Sequence, residues 1–472
     1  MGGAYHRVVT SPRSLRPLFL TLAVAGLAVA GTAGAYFMRA RRDVTTSSEK
    51  AWKAYHEAAE NDLKMYEREA MSGYAAALQE DPHFVMATLR LAEKMRGRDP
   101  DRAKSLLASA ARYRDEITER EKLVLRIYEE RWGGRDMAVL GKLFDEYVER
   151  FPNDPEGYRL RANHLSMVNR NEDAIAEYER LLAINPNYAT AYNVLGYYWA
   201  ERGDFAKAVD FLKRYRYLAP DQANPFDSLG EMYARVGRYD EAEENLRKAL
   251  AIKEDFFASY GHLGSVELGR GHPEKAAVFF RKAADAAPGP WIRADFQFLV
   301  VLALCDAGKT EEARKEFEDM TAEARTFPAG SEANSMALNT LVRRTFFLAR
   351  VGDTADADSA LEAVQKAAPA KSETEKLKNY ERELVLLRGI VAAKAGRFGE
   401  GVDILGKALS EDGPRGLGGT EYYPRKDTVR IVLSQCLANL GRKEDAEKAL
   451  QPVLTRTPRY QPALDQLARL HG

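Results

Sequence analysis

The chain has 472 residues, of which 45% are hydrophobic and 30% are charged. This length exceeds what one hydrophobic core usually supports, so the sequence predicts several domains or a repeat array. Lys plus Arg and Asp plus Glu each total 70, and after residue 50 the counts are 63 basic and 68 acidic residues. A mildly acidic body of mixed charge lacks the basic footprint of a nucleic-acid-binding protein.

The first predicted element is an apolar segment near the N-terminus. Residues 17–38 are 22 consecutive residues without a charge. As a helix they would span about 33 Å, enough to cross a hydrocarbon core of about 30 Å. We therefore predict a basic N-terminal tail (1–16), a transmembrane helix acting as a signal-anchor (17–38) and a linker (39–50).

A cleaved signal peptide is the alternative interpretation of this segment. Arg13 and Arg16 precede it, and it contains A-x-A triplets at 28–30 and 33–35. We favour the anchor because the apolar run continues through Tyr36 beyond both triplets. Three arginines lie on each side, so the positive-inside rule is nearly balanced. A short basic tail retained inside is the commoner arrangement, and it places the long C-terminal region outside the cytoplasm.

Beyond residue 155 the sequence repeats with a 34-residue period. A small residue in the second column would let two helices cross closely, and a Gly in the last would allow a positive φ at a turn. The columns are Leu195, Leu229 and Leu263; Gly196, Gly230 and Gly264; Ala174, Ala208, Ala242 and Ala276; and Gly203, Gly237 and Gly271.

This pattern resembles the tetratricopeptide repeat (TPR), most clearly over 189–221 and 224–249. The stretch Asn224 to Ile252 is similar to TPR regions of bacterial envelope and signalling proteins. The resemblance implies an all-α solenoid, a right-handed superhelix of helical hairpins, preceded here by one transmembrane helix. It also implies a protein that binds other proteins at the bacterial envelope. The predicted anchor places this protein in the inner membrane, with its TPR body on the extracytoplasmic side.

The repeat register extends over nearly the whole chain after the anchor. We predict degenerate hairpins over 51–154, four regular repeats over 155–290, further hairpins over 291–460 and a capping helix over 461–472. The total is about eleven hairpins. Three inserted connecting segments interrupt the period, at 326–337, 370–379 and 411–426.

One motif suggests a nucleotide site, and its context argues against it. Ala303 followed by Gly308, Lys309 and Thr310 satisfies a loose P-loop pattern. A P-loop requires a preceding strand, whereas these residues fall in the turn column of a hairpin. The seven histidines show no metal-ligand spacing, and the two cysteines fall in predicted helices as buried apolar residues. We predict no catalytic, cofactor or metal site, and hence a protein that is not an enzyme.

First-helix positions of the regular repeats are the candidate binding residues, because they line the concave wall of a TPR superhelix. Their mixture of amide, acidic and aromatic groups suits an extended peptide or a helix laid in the groove. Simple solvated groove residues, with the contact on the convex side or in a loop, are the alternative. The candidates are Arg159, Asn163, Ser166, Asn193, Tyr197, Glu201, Asp227, Glu231 and Arg235.

The chaperone-type clamp for a C-terminal carboxylate is not expected here. It would need an Asn where Val194 stands and a Lys where Asn224 stands. The sequence therefore predicts a membrane-tethered scaffold that binds and organises protein partners at the bacterial envelope. The alternative is a permanent accessory subunit of a secretion, pilus or electron-transfer assembly. No small-molecule substrate is expected.

Overall fold

The computed structural model describes residues 44–96, 99–133, 136–326, 331–367, 374–410 and 425–472. These residues form 23 α-helices, one short 3-10 helix at Arg114–Glu116 and no strand, which confirms the predicted all-α solenoid. The predicted anchor, residues 17–38, lies outside the described residues. Within the described part of the chain, the helices are all too short or too polar to traverse a bilayer.

The described residues divide into two compact units, and the first ends at Arg170. This N-terminal unit contains seven α-helices joined by short turns. Five of its helices begin with a side-chain cap, for example the reciprocal capping box of Thr118 and Glu121. The helices are α1 (Glu49–Leu63), α2 (Glu67–Glu80), α3 (Val85–Met95), α4 (Pro100–Ala111), α5 (Glu119–Trp132), α6 (Met137–Arg150) and α7 (Pro155–Met167).

The C-terminal unit begins at Asn171 and contains sixteen α-helices in the described residues. From α9 onwards each first helix is followed by a second helix that packs against it. The helices are α8 (Asn171–Ile184), α9 (Ala189–Glu201), α10 (Phe205–Leu218), α11 (Ala223–Arg235), α12 (Tyr239–Ile252), α13 (Phe257–Gly269), α14 (Pro273–Ala286), α15 (Pro290–Asp306), α16 (Thr310–Ala324), α17 (Ser331–Val351), α18 (Thr354–Lys366), α19 (Thr374–Lys394), α20 (Phe398–Ser410), α21 (Arg425–Asn439), α22 (Lys443–Arg456) and α23 (Gln461–His471).

Two of the segments predicted as connections are partly helical. Residues 331–337 extend α17, and residues 374–379 extend α19, so that each helix has 21 residues. The first stretch contains Glu and two Ala, the second contains Glu and two Lys, and neither contains Gly or Pro, which favours helix continuation. Residues 411–424 of the third segment lie outside the described residues.

Glycine occupies the predicted turn position throughout the C-terminal unit. Gly203 has φ +82°, a left-handed conformation that costs a residue with a Cβ about 1 kcal/mol or more. Six further turn glycines have the same conformation: Gly237, Gly271, Gly308, Gly352, Gly396 and Gly441. In the N-terminal unit Asn169 and Met65 adopt it instead, both with φ 61°. Asn169 precedes Gly203 by one period, so the turn is kept where the glycine is not.

The second glycine column marks the crossing of the two helices in a hairpin. A Cβ built on Gly230 of α11 would lie 2.7 Å from Cγ of Leu246 and 3.1 Å from the carbonyl oxygen of Ala242, both on α12. On Gly196 it would lie 2.8 Å from Cγ of Leu212. The predicted close approach at these positions is therefore confirmed, and it fixes which face each first helix turns towards its partner.

Candidate partner-binding surface

The nine predicted groove residues all lie on first helices. Three are on α7 of the N-terminal unit, and the other six are on α9 and α11 of the C-terminal unit. The row has different surroundings in the two units.

In the N-terminal unit the row borders a pocket of about 70 Å³. Its apolar floor consists of Leu140, Phe144 and Leu160, which are all buried. Met167 stands at its mouth with 57% of its surface exposed. This volume accommodates the end of one side chain and not an organic cofactor, since small-molecule sites usually measure about 300–1,000 Å³.

Polar groups from three helices form the rim of this pocket: Glu93 of α3, Arg131 of α5, and Arg159, Asn163 and His164 of α7. Glu93 accepts hydrogen bonds from the Tyr128 hydroxyl at 2.6 Å and from Arg131 Nη1 at 3.3 Å. The rim is thus ordered before any ligand arrives, which lowers the entropic cost of binding.

A second carboxylate, that of Glu156, fixes the orientation of the Arg159 side chain. Arg159 donates to both Glu156 oxygens, at 2.7 and 2.6 Å, and Arg90 Nη2 donates to Oε1 at 2.9 Å. Burial opposes ionisation of Glu156, but Arg159 and Arg90 outweigh it and hold the pKa well below its usual value. The carboxylate therefore stays ionised.

The pocket has a surplus of positive charge. Three arginines, Arg90, Arg131 and Arg159, stand against the two carboxylates of Glu93 and Glu156. Both glutamates have lowered pKa values and remain charged at neutral pH. An acidic group entering this site would balance the charge.

In the C-terminal unit the same row is joined by hydrogen bonds between successive first helices. The Tyr197 hydroxyl of α9 donates to Glu231 Oε2 of α11 at 2.5 Å. Arg235 Nε donates to the other Glu231 oxygen at 2.8 Å. Burial would raise the pKa of Glu231, but Arg235, His262 and Tyr197 lower it to about 2. Glu231 is only 5% exposed, so its charge is compensated internally.

Asp227 belongs to the same cluster, one helical turn before Glu231. It faces His262 Nδ1 at 3.0 Å and accepts a hydrogen bond from the Ser259 hydroxyl at 2.7 Å, both on α13. His262 Nε2 lies 3.5 Å from Glu231 Oε2, so the imidazole sits between two carboxylates. Burial would lower the pKa of His262, but Asp227 and Glu231 raise it. The imidazole thus lies in a buried cluster of charged groups, where the two carboxylates favour its protonated form.

These contacts divide the predicted groove residues into two groups. Asp227 and Glu231 are 3% and 5% exposed and serve the packing of α11 against its neighbours. Arg159 keeps 25% of its side chain exposed and Arg235 keeps 33%. Glu201 is exposed, Asn163 borders the pocket, and Ser166 and Asn193 lie between these extremes. The accessible part of the row therefore lies at α7 and α9 and at the end of α11, and of these only α7 borders the pocket.

Sequence reasoning did not select several residues of both clusters. Glu93 and Arg131 lie on helices where the glycine columns are absent, so the period could not place them. His262 follows Ser228 by the same 34-residue step that joins Tyr197 to Glu231. His262 could therefore have been selected as the residue one period after Ser228.

The P-loop-like motif lies in a hairpin turn, and the two cysteines lie in helices. Gly308 lies in the turn between α15 and α16 with φ +73°, and Lys309 is 3.6 Å from Glu274 and 3.5 Å from Glu312. Cys436 is buried, whereas Cys305 is half-buried. Burial raises the pKa of the Cys305 thiol to about 11, so it is protonated at neutral pH.

Comparison with known proteins identifies the repeat. Residues 159–223 and 226–255 match models described as tetratricopeptide repeat. A search of curated proteins finds no match. A tetratricopeptide repeat protein from Parabacteroides merdae ATCC 43184 is 18% identical; the match covers 55% of this chain and 97% of that chain, with a TM-score of 0.40.

Two further solved structures are similar to parts of the chain. PilW, described as a widely conserved type IV pilus biogenesis factor, is 18% identical over 46% of this chain and 98% of its own, with a TM-score of 0.38. YrrB, described as a TPR protein with an unusual peptide-binding site, is 21% identical over 39% of this chain and 93% of its own, with a TM-score of 0.29.

Stacked helical hairpins with a fixed crossing and a fixed turn define the chain as an α-helical repeat protein. The repeats over 159–223 and 226–255 match the tetratricopeptide repeat, which confirms the resemblance found in Asn224–Ile252.

Proposed function

We propose that this chain is a scaffold that binds protein partners through the pocket of its N-terminal unit and organises them at a bacterial membrane. The observation that carries the proposal is the rim formed by Arg131, Arg159 and Asn163 above an apolar floor. An apolar floor with ordered polar groups at its edge is the usual construction of a site for a side chain.

The charge of the pocket defines the kind of segment it would bind. Its surplus of arginine favours an acidic side chain with an apolar stem, presented by an extended peptide or by a helix. Arginine is suited to this role because its planar guanidinium can bind a carboxylate through two hydrogen bonds.

Membrane attachment through residues 17–38 is the second part of the proposal. It rests on the length of the apolar segment and on the arginines that flank it. In this arrangement the TPR body lies on the extracytoplasmic side of the inner membrane.

Site-specific photo-crosslinking tests the binding surface. A photoreactive amino acid replaces Met167 at the mouth of the pocket, in the full-length protein expressed in its native membrane. The matched control carries it at Val278 of α14, since the two side chains are 57% and 51% exposed. We expect a discrete protein adduct from position 167 and not from position 278. Equal labelling at both positions would contradict the proposed surface.

The stoichiometry of the captured complex distinguishes the scaffold from a permanent accessory subunit. A reversible scaffold leaves free protein after mild detergent extraction, and its partner dissociates on dilution. A fixed ratio of the two proteins, with no free chain, would instead support the accessory subunit.

Removal of residues 17–38 tests the membrane attachment. The intact chain should stay with membranes after alkaline carbonate extraction, and the shortened chain should be released. Protease added to intact spheroplasts should degrade the TPR body if it is extracytoplasmic. Release of the intact chain by carbonate would contradict the anchor.

A further inference from the structure

The last part of the C-terminal unit returns to the turns of two hairpins much earlier in the same unit. The Thr457 hydroxyl, just after α22, donates to the carbonyl oxygen of Arg235 at the end of α11, at 2.9 Å and 222 residues away in sequence. Thr457 is 5% exposed. This hydrogen bond from a buried threonine shows that the C-terminal segment contacts the turn after α11.

Two neighbouring residues of the C-terminal segment make contacts on the same edge. Arg459 Nη1 lies 3.7 Å from Asp240 Oδ2, and its guanidinium stands 5.9 Å from the ring centroid of Tyr239. Tyr239 and Asp240 are the first residues of α12. The contact therefore extends over the whole turn between α11 and α12.

The turn glycines show how closely the two segments approach. A Cβ built on Gly271 would lie 2.7 Å from Cγ of Gln461, and one on Gly237 would lie 3.2 Å from Cγ2 of Thr457. Cβ atoms built on Gly203 and Gly308 would have no neighbour within 4 Å. Gly237 and Gly271 thus adopt the positive φ of the turn, as Gly203 does, and their lack of a Cβ also leaves space for the C-terminal segment.

We propose that Thr457–Gln461 is a releasable latch, which closes the C-terminal unit by covering the turns at Arg235–Asp240 and Gly271. The contacts with the earlier turns come from Thr457, Arg459 and Gln461, and the ion pair among them is exposed, at 61% for the Arg459 side chain and 73% for Asp240. An exposed ion pair of this kind contributes little to stability. A partner that used the covered turns would have to displace this segment, which makes the latch an intramolecular competitor.

Release of the latch does not require the unfolding of α23. The apolar residues Ala463 and Leu470 of this helix are buried in the same cluster as Leu450 and Val453 of α22. Gln466 Nε2 lies 3.5 Å from the Ser434 hydroxyl of α21. Tyr460 belongs to the same cluster, and α23, which begins at Gln461, also contacts α13. Opening of the latch therefore moves Thr457, Arg459 and Gln461 away from the earlier turns, while α23 keeps its packing on α21 and α22.

Hydrogen exchange of the full-length protein in detergent tests this device with two matched pairs of variants. Thr457→Val removes the buried hydroxyl, whereas Thr455→Val removes an exposed one two residues away. Gly271→Ala adds a Cβ against Gln461, whereas Gly203→Ala adds one at the same turn position with no neighbour.

We expect Thr457→Val and Gly271→Ala to speed exchange in peptides covering 234–241 and 455–463 by about fivefold, the effect of losing one hydrogen bond from a local opening. In the controls Thr455→Val and Gly203→Ala, both peptides should exchange at the wild-type rate. Peptides from α15 and α16 should not respond.

Equal exchange in each variant and its control would overturn the proposal. Full exchange of both peptides in the wild type within the first time point would also overturn it, because no latch would then be closed. Arg459→Ala is a third variant, and it should fold normally because the Arg459 side chain is exposed. It should speed exchange at 234–241 less than Thr457→Val does.

Discussion

The N-terminal and C-terminal units place different chemistry on the same row of first-helix positions. At α7 the row presents Arg159 and Asn163 around an open pocket. At α11 it presents Asp227 and Glu231, which are buried and held by His262 and Tyr197. A repeat frame thus fixes where a side chain starts, while its neighbours decide whether it is available to a partner.

The largest expected effect concerns the buried part of the row at α11. His262→Leu removes the imidazole from between Asp227 and Glu231, and we expect it to lower the free energy of unfolding of the C-terminal unit by about 3 kcal/mol. At α7, Arg159→Ala should lower the free energy of unfolding of the N-terminal unit by less than about 1 kcal/mol, because Glu156 keeps its ion pair with Arg90. Denaturant titration followed by hydrogen exchange measures both; equal costs would remove the distinction between the two parts.

Overpacking at the hairpin crossing should have the next largest effect. Gly230→Leu forces a side chain into Leu246 and the backbone of α12, and we expect a loss of about 1–3 kcal/mol. Gly399→Leu is the control, since a Cβ at that exposed position of α20 meets nothing within 4 Å. If Gly230→Leu melts like the wild type, the crossing has been placed at the wrong residues.

The pH dependence of stability should have opposite signs in the two units. The raised pKa of His262 means that its contribution is complete below about pH 6.5 and is lost as the pH rises through the folded value. Burial lowers the pKa of His164, so its contribution is complete above about pH 6.5 and is lost as the pH falls through its folded value.

Titration of the two imidazoles by NMR provides the measurement for this pair. His262→Gln should flatten the dependence above pH 6.5 in the C-terminal unit and leave the N-terminal unit unchanged. His164→Gln should act only on the acidic side of the N-terminal unit. A midpoint for His262 below that of His164 would contradict the ionic cluster.

The smallest expected effect is at the nucleotide-like motif. Lys309→Ala breaks contacts with exposed Glu274 and Glu312, and we expect stability to change by less than about 0.5 kcal/mol. Calorimetric titration of the wild type with ATP should give no heat beyond dilution. Saturable binding abolished in Lys309→Ala would show that the turn has a second role.

The sequence was most informative where the backbone itself requires a particular residue. Gly203 and Gly237 are needed for a positive φ and Gly196 and Gly230 for a close crossing, so both columns appear as strict periods. The left-handed turn at Met65 could not be predicted, because methionine carries no preference for that conformation.

Side-chain partners were harder to predict than the fold. Glu231 looked available in the sequence because the period places it on the inner row, but whether Tyr197 and His262 reach it depends on rotamers and on the spacing of α9, α11 and α13. The rim residues Glu93 and Arg131 belong to hairpins without the glycine columns, so no register connected them to Arg159. Three-dimensional contacts were required for both.

Charge reversal at the pocket tests the central claim most directly, using the protein captured by the photoreactive residue at position 167. Binding of that purified partner should weaken about tenfold or more in Arg159→Glu, because an acidic group would then meet another carboxylate. Lys213→Glu, on the exposed face of α10, should leave the affinity unchanged. An affinity that is the same for Arg159→Glu as for the wild type would contradict the assignment of this pocket as the partner-binding site.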